Sequence, residues 1–290
     1  MSSTPETYGV REGYARLTTA LSHLPIASAE AGTELMTFVE VCLVFLCGTC
    51  EQVPLISRVA DKEYITFRHG NVVARPAKQG LFVADAVSMA TFWHQWLTGE
   101  IEPAILDQFL YTSALAPCLA MELFDRQNKK GPATYFELLL GHIFGKIINE
   151  SPSRRVSIPI LDRHITLTMD FLYRLPNNRG VHLAVKMSTR ERVVQAWAHQ
   201  RLLDVSFGQG AYTGILAVCS ETKLDSRTLE VIEICVPDQW LAYQVGLAKM
   251  TRIYYLDPPA RYLALSAGYP DVIQIKALAE AFGEKADLWR

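Results

Sequence analysis

The chain lacks a dominant charge of either sign. It carries 28 Lys and Arg against 30 Asp and Glu, so its 290 residues have a formal net charge of −2. This balance is not that of a wholly basic nucleic-acid-binding protein. Half of the residues are apolar and 20% are charged, which supplies a core and argues against wholesale disorder. The length predicts one large domain or two.

The cysteines lack the spacing of a zinc site. Of the six, Cys47 and Cys50 form a lone CxxC, which Cys42 extends to C-x4-C-x2-C. No second pair or His couplet follows at zinc-finger spacing. Because Cys42 and Cys47 lie in an apolar run, we interpret them as small hydrophobic residues, with zinc or redox use as the lesser alternative.

The sequence also lacks a secretory leader and a long uninterrupted apolar run. Its first residues are polar, with no apolar segment. The apolar stretch Met36–Cys50 contains Glu40 and has 15 residues, fewer than the roughly 20 that cross a bilayer. We therefore expect a reduced, cytoplasmic protein with no membrane segment.

The second half of the chain contains a pattern of strand, hairpin, strand and helix. Apolar and polar residues alternate over Ile165–Phe171, which predicts a half-buried strand with Asp170 on its polar face. Pro176–Gly180 predicts a turn. The return strand Val181–Met187 places His182, Ala184 and Lys186 on the face opposite its apolar residues. Asp170 and Lys186 are thus expected side by side on the polar face of paired strands.

A carboxylate beside an ammonium suits the hydrolysis of a phosphodiester. The carboxylate offers hard oxygen ligands to Mg²⁺, and a bound metal ion acidifies water. The ammonium stabilises the negative charge of the transition state and can orient the nucleophile. The alternative is a solvated ion pair on an exposed strand, which is common on protein surfaces.

The second strand leads into a predicted helix with Ser188 or Thr189 as its N-cap. Its first turn would carry Arg190, Glu191 and Arg192. Arg binds guanine O6 and N7 with two hydrogen bonds, and Glu accepts from cytosine N4, so this turn suits adjacent G and C bases. The alternative is an ordinary charged first helical turn.

These residues together carry a resemblance to a known family. The run of Lys186, Ser188-Thr189, Arg190-Glu191-Arg192 and Gln195 resembles the K-x-(S/T)-x-R-(D/E)-R segment of type II restriction endonucleases in the PD-(D/E)xK superfamily. The likeness is to the group that recognises CCGG, CCNGG and CCWGG sites. It covers roughly residues 134–260, and the Asp-to-Lys spacing of 16 fits short-hairpin members. It implies an α/β fold with a mixed sheet flanked by helices.

The resemblance implies that Asp170 binds metal, that Lys186 is catalytic and that the Arg190–Arg192 segment, including Glu191, reads the bases. Two positions depart from the family pattern. The usual acid two residues before the lysine is Ala184 here, and the acid that this group places 13 residues after the lysine is His199. Imidazole is a poor ligand for Mg²⁺, although Mn²⁺ accepts it more readily.

Two residues are therefore candidates to complete the site. His199 would ligate metal or act as a general base, and its alternative is a hydrogen-bonded, half-buried ring. Glu137 would supply a carboxylate to the metal site from the helix that precedes the strand carrying Asp170. Its alternative is a capping box with Thr134 at the start of a helix over Thr134–Asn149.

The implied function is Mg²⁺-dependent hydrolysis of double-stranded DNA at a short site containing CC/GG, with Mn²⁺ as a substitute ion and 5′-phosphate products. The implied assembly is a homodimer, or a tetramer. Local charge agrees with such a partner, since Gly141–Arg201 holds 10 Lys and Arg against 4 acids. Three alternatives stay open. They are a catalytically weakened sequence-specific DNA-binding protein on the same scaffold, a structure-specific repair or junction nuclease, and a metabolic or interaction protein with no nucleic-acid role.

We predict a mainly helical region over residues 1–130, serving dimerisation or accessory DNA contact, and a nuclease core over residues 131–290. Ser151–Arg155 is interpreted as a basic loop that contacts phosphate. The other predicted elements are helices over Ser28–Leu46, Ala84–Leu97, Glu102–Leu110 and Ala116–Phe124, and a hairpin over Tyr64–Ala74.

Overall fold

The computed structural model describes residues 9–125, 130–175, 179–189, 193–225 and 227–284. They form two compact units. The first contains the described residues up to Leu139 together with Thr222–Glu233, and the second contains Leu140–Glu221 and the described residues from Ile234 onward. The division falls inside a helix, Gly131–Ile148, whereas the sequence prediction places a boundary at residue 130.

Helices and strands alternate more strongly after residue 150 than before it. The helices are α1 (Val10–Leu21), α2 (Ala29–Thr49), α3 (Ala86–Thr98), α4 (Pro103–Phe124), α5 (Gly131–Ile148), α6 (Val194–Phe207), α7 (Pro237–Gly246), α8 (Ala260–Gly268) and α9 (Glu280–Gly283). The strands are β1 (Glu51–Leu55), β2 (Tyr64–His69), β3 (Val72–Val73), β4 (Ala77–Lys78), β5 (Ser153–Ile160), β6 (Arg163–Arg174), β7 (Gly180–Lys186), β8 (Tyr212–Val218), β9 (Thr222–Leu224), β10 (Val231–Glu233), β11 (Arg252–Tyr255) and β12 (Ile275–Ala277).

The first unit is built on the long helices α2 and α4, beside a small antiparallel sheet. The predicted start of α2 is confirmed, since the Ser28 hydroxyl accepts a hydrogen bond from the Ala31 amide at 3.1 Å. The prediction of two helices over residues 102–124 is wrong, because α4 continues through Pro117. Every residue from Phe109 to Met121 is buried, and this packing outweighs the hydrogen bond that proline removes.

Helices α2 and α4 are long and apolar enough, by length and composition alone, to cross a membrane. The most apolar 18-residue stretches of α2 and α4 have mean hydropathies of 1.6 and 1.3. By its sequence, the apolar stretch Met36–Cys50 is predicted to be too short to cross a bilayer. That prediction is wrong, because the helix α2 that contains most of this stretch has 21 residues. The stretch in α2 is 56% buried within the protein and the stretch in α4 is 78% buried, as in the core helices of a folded domain.

The second unit is a six-stranded mixed sheet in the order β12-β11-β8-β7-β6-β5. The strands β7, β8, β11 and β12 run parallel, and β5, β6 and β7 are antiparallel neighbours. On one face, Ala184 packs with Val193, Ala196 and Trp197 at the start of α6. On the other face, the Tyr173 hydroxyl donates to the Gly141 carbonyl of α5 at 3.0 Å. The predicted mixed sheet flanked by helices is confirmed.

The central strand β7 differs from its sequence prediction. We expected a polar face carrying His182 and Lys186, but every residue from Gly180 to Val185 is buried. A parallel neighbour on one side, an antiparallel neighbour on the other and helices on both faces leave no solvated surface along this strand. Lys186, its last residue, is the first to reach solvent.

Candidate active site

Asp170 and Lys186 meet at the carboxyl end of β7. The Lys186 Nζ atom lies 2.9 Å from Asp170 Oδ2, and the two side chains are 17% and 23% exposed. Their predicted juxtaposition is confirmed. The pair is neither a fully solvated surface contact nor sealed in the core, so solvent and a substrate can reach both groups.

A local distortion of β6 presents the Asp170 carboxylate. The backbone pairing of β6 with β7 ends at Phe171 opposite Leu183, and the next free donor of β7, the Val185 amide, binds Asp170 Oδ2 at 2.8 Å. The β5–β6 register also shifts in this region, between Ser153 and Arg155, as is common beside active sites. Both hydrogen bonds fall on Oδ2, so Oδ1 accepts none from the described residues.

Two histidines lie near this pair, His182 on β7 and His199 on α6. His182 is fully buried on β7, and its Nδ1 lies 3.1 Å from Gln200 Oε1. The Gln200 amide nitrogen donates to Asp204 Oδ1 and to the Tyr212 carbonyl, each at 2.9 Å. Because both of these partners are acceptors, Oε1 must accept, and His182 carries its proton on Nδ1. Its Nε2 has no hydrogen-bond partner within the described chain.

Both rings are held in the neutral form. Burial lowers the pKa of His182 to about 4, and the hydrogen bond to Gln200 opposes this shift. Burial likewise lowers the pKa of His199, while the Asp170 charge opposes it. The two ring centroids are 6.2 Å apart. A neutral imidazole can accept a proton or bind a metal ion, so His199 has the protonation state that either predicted role requires.

We expect His182 to make stability depend on pH. Its pKa of about 4 in the folded protein lies below the ordinary value of 6.5, so the unfolded chain binds the proton more tightly. The contribution is complete above pH 6.5 and is lost as the pH falls toward 4, by about 3 kcal/mol in all. Asn at this position keeps a donor for Gln200 without titrating. Chemical unfolding at pH 7 and pH 5 should show a larger loss for the wild type than for His182→Asn, and equal losses would contradict the assignment.

The remaining site residues stay predictions. Arg190, Glu191 and Arg192 lie outside the described residues. The capping box of Glu137 is wrong, because α5 begins at Gly131 and the Thr134 amide donates to the Lys130 carbonyl inside the helix.

The role of Glu137 in the site stays a prediction. This residue belongs to the first unit. There, burial raises the pKa of the Tyr14 phenol, and the Glu137 charge adds to that shift. Over the ranges that the structure describes, no three His, Cys, Asp or Glu side chains form a metal-binding group.

Sequence reasoning missed Glu221, which follows β8 and is 1% exposed. Its carboxylate accepts hydrogen bonds from the Thr189 amide at 3.2 Å, from the Thr189 hydroxyl and from the Tyr255 hydroxyl at 2.7 Å. The predicted capping role of Thr189 is therefore wrong, and α6 begins at Val194. The partners lie 32 and 34 residues away in sequence, so no local motif marks this carboxylate.

Glu221 holds the segment that leaves the end of β7. The Cys219 amide donates to the Lys186 carbonyl at 3.0 Å, and the Ser220 amide donates to the Met187 carbonyl at 3.2 Å. These bonds extend the parallel pairing of β7 and β8 past the catalytic lysine candidate. Thr189 is consequently fixed immediately before the predicted base-reading residues.

Comparison with known proteins identifies the fold. No protein-family model matches the sequence, and no curated protein matches it. The crystal structure of the type IIP restriction endonuclease Kpn2I is similar over 97% of both chains, with a TM-score of 0.81 and 22% sequence identity. The complex of the restriction endonuclease PspGI with substrate DNA covers 99% of this chain and 96% of its own, at 12% identity and a TM-score of 0.42, which is too low to support an argument. The chain therefore has the fold of Kpn2I.

Proposed function

We propose that the chain is a type II site-specific deoxyribonuclease. It would hydrolyse double-stranded DNA at a short site containing CC/GG, with Mg²⁺, and leave 5′-phosphates. The observation that carries this proposal is the 2.9 Å contact between Lys186 Nζ and Asp170 Oδ2, at the open end of a central strand. The fold supports it, because a solved protein with that fold is named as a restriction endonuclease.

The donor set fits a magnesium ion held mainly by water and substrate. Mg²⁺ keeps several waters and is commonly bound by one or two carboxylates with substrate phosphates. Asp170 supplies one carboxylate, whose orientation is set by the Val185 amide and Lys186. When bound, the ion would offset phosphate charge and acidify a water molecule. The neutral His199 is a better ligand for Mn²⁺, which accounts for the proposed substitution.

The residues of the chain have separable roles in this proposal. The Lys186 ammonium, held by Asp170, stabilises the negative charge that grows on the phosphate and orients the attacking water. His199 is the candidate general base, because its lowered pKa leaves the imidazole free to accept a proton. Glu137 remains a candidate for a second carboxylate.

The proposed partner is a DNA duplex, read by Arg190, Glu191 and Arg192 in its major groove. The anchoring of Thr189 by Glu221 supports this proposal, because base reading requires that the segment start from a fixed point. A two-fold DNA site needs two active centres, so we propose a homodimer, or a tetramer of two such dimers.

Plasmid digestion tests the proposed activity. Incubation with Mg²⁺ should convert a plasmid into a few discrete linear fragments, and chelation of the metal should stop the reaction. Failure to cut in both Mg²⁺ and Mn²⁺ would contradict the nuclease assignment.

A second candidate function is sequence-specific DNA binding without catalysis. Two observations favour it. Ala184 takes the place of the usual acid and lies in the core, and no three-residue metal-binding group occurs within the described ranges. A shift of one duplex in a gel, without cleavage in either metal ion, would select this function over the first.

Arg190→Ala tests base reading. If Arg190 makes two hydrogen bonds to a guanine, its removal costs about 1–3 kcal/mol of binding and relaxes the preference at one base pair. Competition binding with duplexes that differ at single positions measures both effects. Arg261→Ala, an exposed arginine of α8, is the matched control and should bind as the wild type does. An unchanged preference in the Arg190 variant would remove this residue from base reading.

A further inference from the structure

The first hairpin of the six-stranded sheet continues past the candidate active site. Strand β6 pairs with β7 over Phe171–Arg174, and β7 ends at Lys186, the partner of Asp170. Before Asp170, β6 pairs with β5 alone, as far as Ile160 opposite Arg163. We call residues 155–168 the arm. At about 3.3 Å per residue, the six steps from Arg155 at its base to Leu161 at its tip span about 20 Å.

The arm carries a net positive charge, because its two arginines outnumber its one acid. Arg155, Arg163 and His164 are exposed, and Asp162 is the one acid of the arm. Neither Arg155 nor Arg163 has an ion-pair partner among the described residues. The prediction of a basic loop at Ser151–Arg155 is wrong, because β5 begins at Ser153 and Arg155 belongs to the β5–β6 hairpin. Solvated guanidinium groups complement the negative charge of a phosphate backbone.

The tip of the arm is unfavourable for folding. Leu161 occupies a two-residue turn with a φ of 54°, a left-handed conformation that suits glycine and strains a side chain with a Cβ atom. The same side chain is 96% exposed. A strained and solvated leucine gives nothing to the stability of the hairpin, so another role must account for it. Proteins that bind the minor groove of DNA insert apolar side chains such as leucine there.

We propose that the arm is a second DNA-binding element that follows the duplex away from the scissile phosphate. Arg155 and Arg163 bind backbone phosphates, and Leu161 enters the minor groove. The inference rests on the proposed function, since it requires duplex DNA at the Asp170–Lys186 pair. The geometry supports it, because the arm projects past the carboxyl end of β7, where Lys186 and Thr189 also lie.

The chemistry of the arm favours DNA over a second copy of the chain. A two-fold contact between two arms would set like charges against each other. Phosphate and groove contacts position a protein without reading sequence. The arm should therefore strengthen binding to every duplex and leave the choice of cleavage site unchanged.

The test compares three variants of the full chain. The double variant Arg155→Ala/Arg163→Ala removes the two charges, and Leu161→Gly removes the apolar tip while relieving the left-handed strain. The control is Arg261→Ala on α8, which packs against β12 at the opposite edge of the same sheet. Fluorescence anisotropy in the presence of a chelator measures binding to a duplex of about 30 base pairs, each 3.4 Å long, over a range of salt concentrations.

For the double variant, the slope of log affinity against log salt should fall in magnitude by about 1.8, or about 0.9 for each lost phosphate contact. Leu161→Gly should weaken binding by about tenfold, as expected when the burial of one leucine side chain is lost. The melting temperature of Leu161→Gly should be no lower than that of the wild type. Arg261→Ala should keep the wild-type slope. The cleavage site should be unchanged in every variant.

Two results would overturn the inference. One is a double variant with the wild-type slope. The other is a change of oligomeric state without DNA together with an unchanged slope, which would make the arm an interface between copies. If the wild type cuts DNA but the double variant keeps the wild-type salt slope, the arm proposal is wrong and the nuclease proposal stands. If the wild type neither binds nor cuts DNA, the arm and the nuclease proposals fall together.

Discussion

Lys186→Ala is expected to reduce the rate of plasmid cleavage to a small fraction of the wild-type rate and to leave duplex binding in place. The substitution removes the ammonium that lies 2.9 Å from Asp170, and with it the charge that we propose stabilises the transition state. The loss of one such group typically lowers the rate by about 10²–10³-fold. Single-turnover cleavage at saturating protein separates this loss from any change in affinity.

A matched variant excludes a general effect of removing a lysine. Lys249 is an exposed lysine of the same unit whose ammonium contacts the Asp271 carbonyl, and Lys249→Ala should cut at the wild-type rate. Lys186→Arg keeps the positive charge but replaces a compact ammonium with a planar guanidinium, and we expect a cleavage rate between those of the wild type and Lys186→Ala. If Lys186→Ala cuts as fast as the wild type, the catalytic assignment of this residue is wrong.

Asp170→Asn should lower cleavage by a comparable factor for a different reason. The amide oxygen of Asn can still accept from the Val185 amide, as Oδ2 does now at 2.8 Å, so the distorted end of β6 is retained. The negative charge is lost, and with it the hard oxygen ligand that we propose for Mg²⁺. Calorimetric titration of Mn²⁺ into the protein–DNA complex should show weaker metal binding by the variant, in parallel with its slower cleavage.

The control for this substitution is Asp238→Asn, an exposed acid in the first turn of α7. It should leave metal affinity and rate unchanged. If Asp170→Asn cleaves DNA at the wild-type rate in the presence of metal, residues other than Asp170 bind the metal ion. Loss of cleavage with unchanged metal affinity would give Asp170 the lesser role of holding Lys186.

The parts of the site that could be predicted are those that depend on short stretches of sequence. Alternation with a period of two placed Asp170 and Lys186 on neighbouring strands, and their separation of 16 residues allows one hairpin to join them. The start of α2 near Ser28 was likewise predicted from a local signal. Each of these contacts involves side chains and backbone groups within a single helix or hairpin.

The features that could not be predicted depend on distant contacts. Thr189 has the composition of an N-cap, but its hydroxyl and amide bind Glu221, 32 residues later. His182 looks like a residue of a polar strand face, yet α6 covers it and Gln200 satisfies its Nδ1. Pro117 would end an isolated helix, whereas burial on all sides keeps α4 continuous. In each case tertiary packing overrode a correct local preference.

Sequencing the ends of the digestion fragments tests the central claim most directly. If Asp170 and Lys186 hydrolyse DNA beside a segment that reads G·C pairs, every fragment should carry a 5′-phosphate. The sequences at the ends should then join into one short motif with adjacent G or C pairs on each side of its two-fold axis. Fragment ends scattered over unrelated sequences, or a shared motif without G·C pairs, would contradict the account.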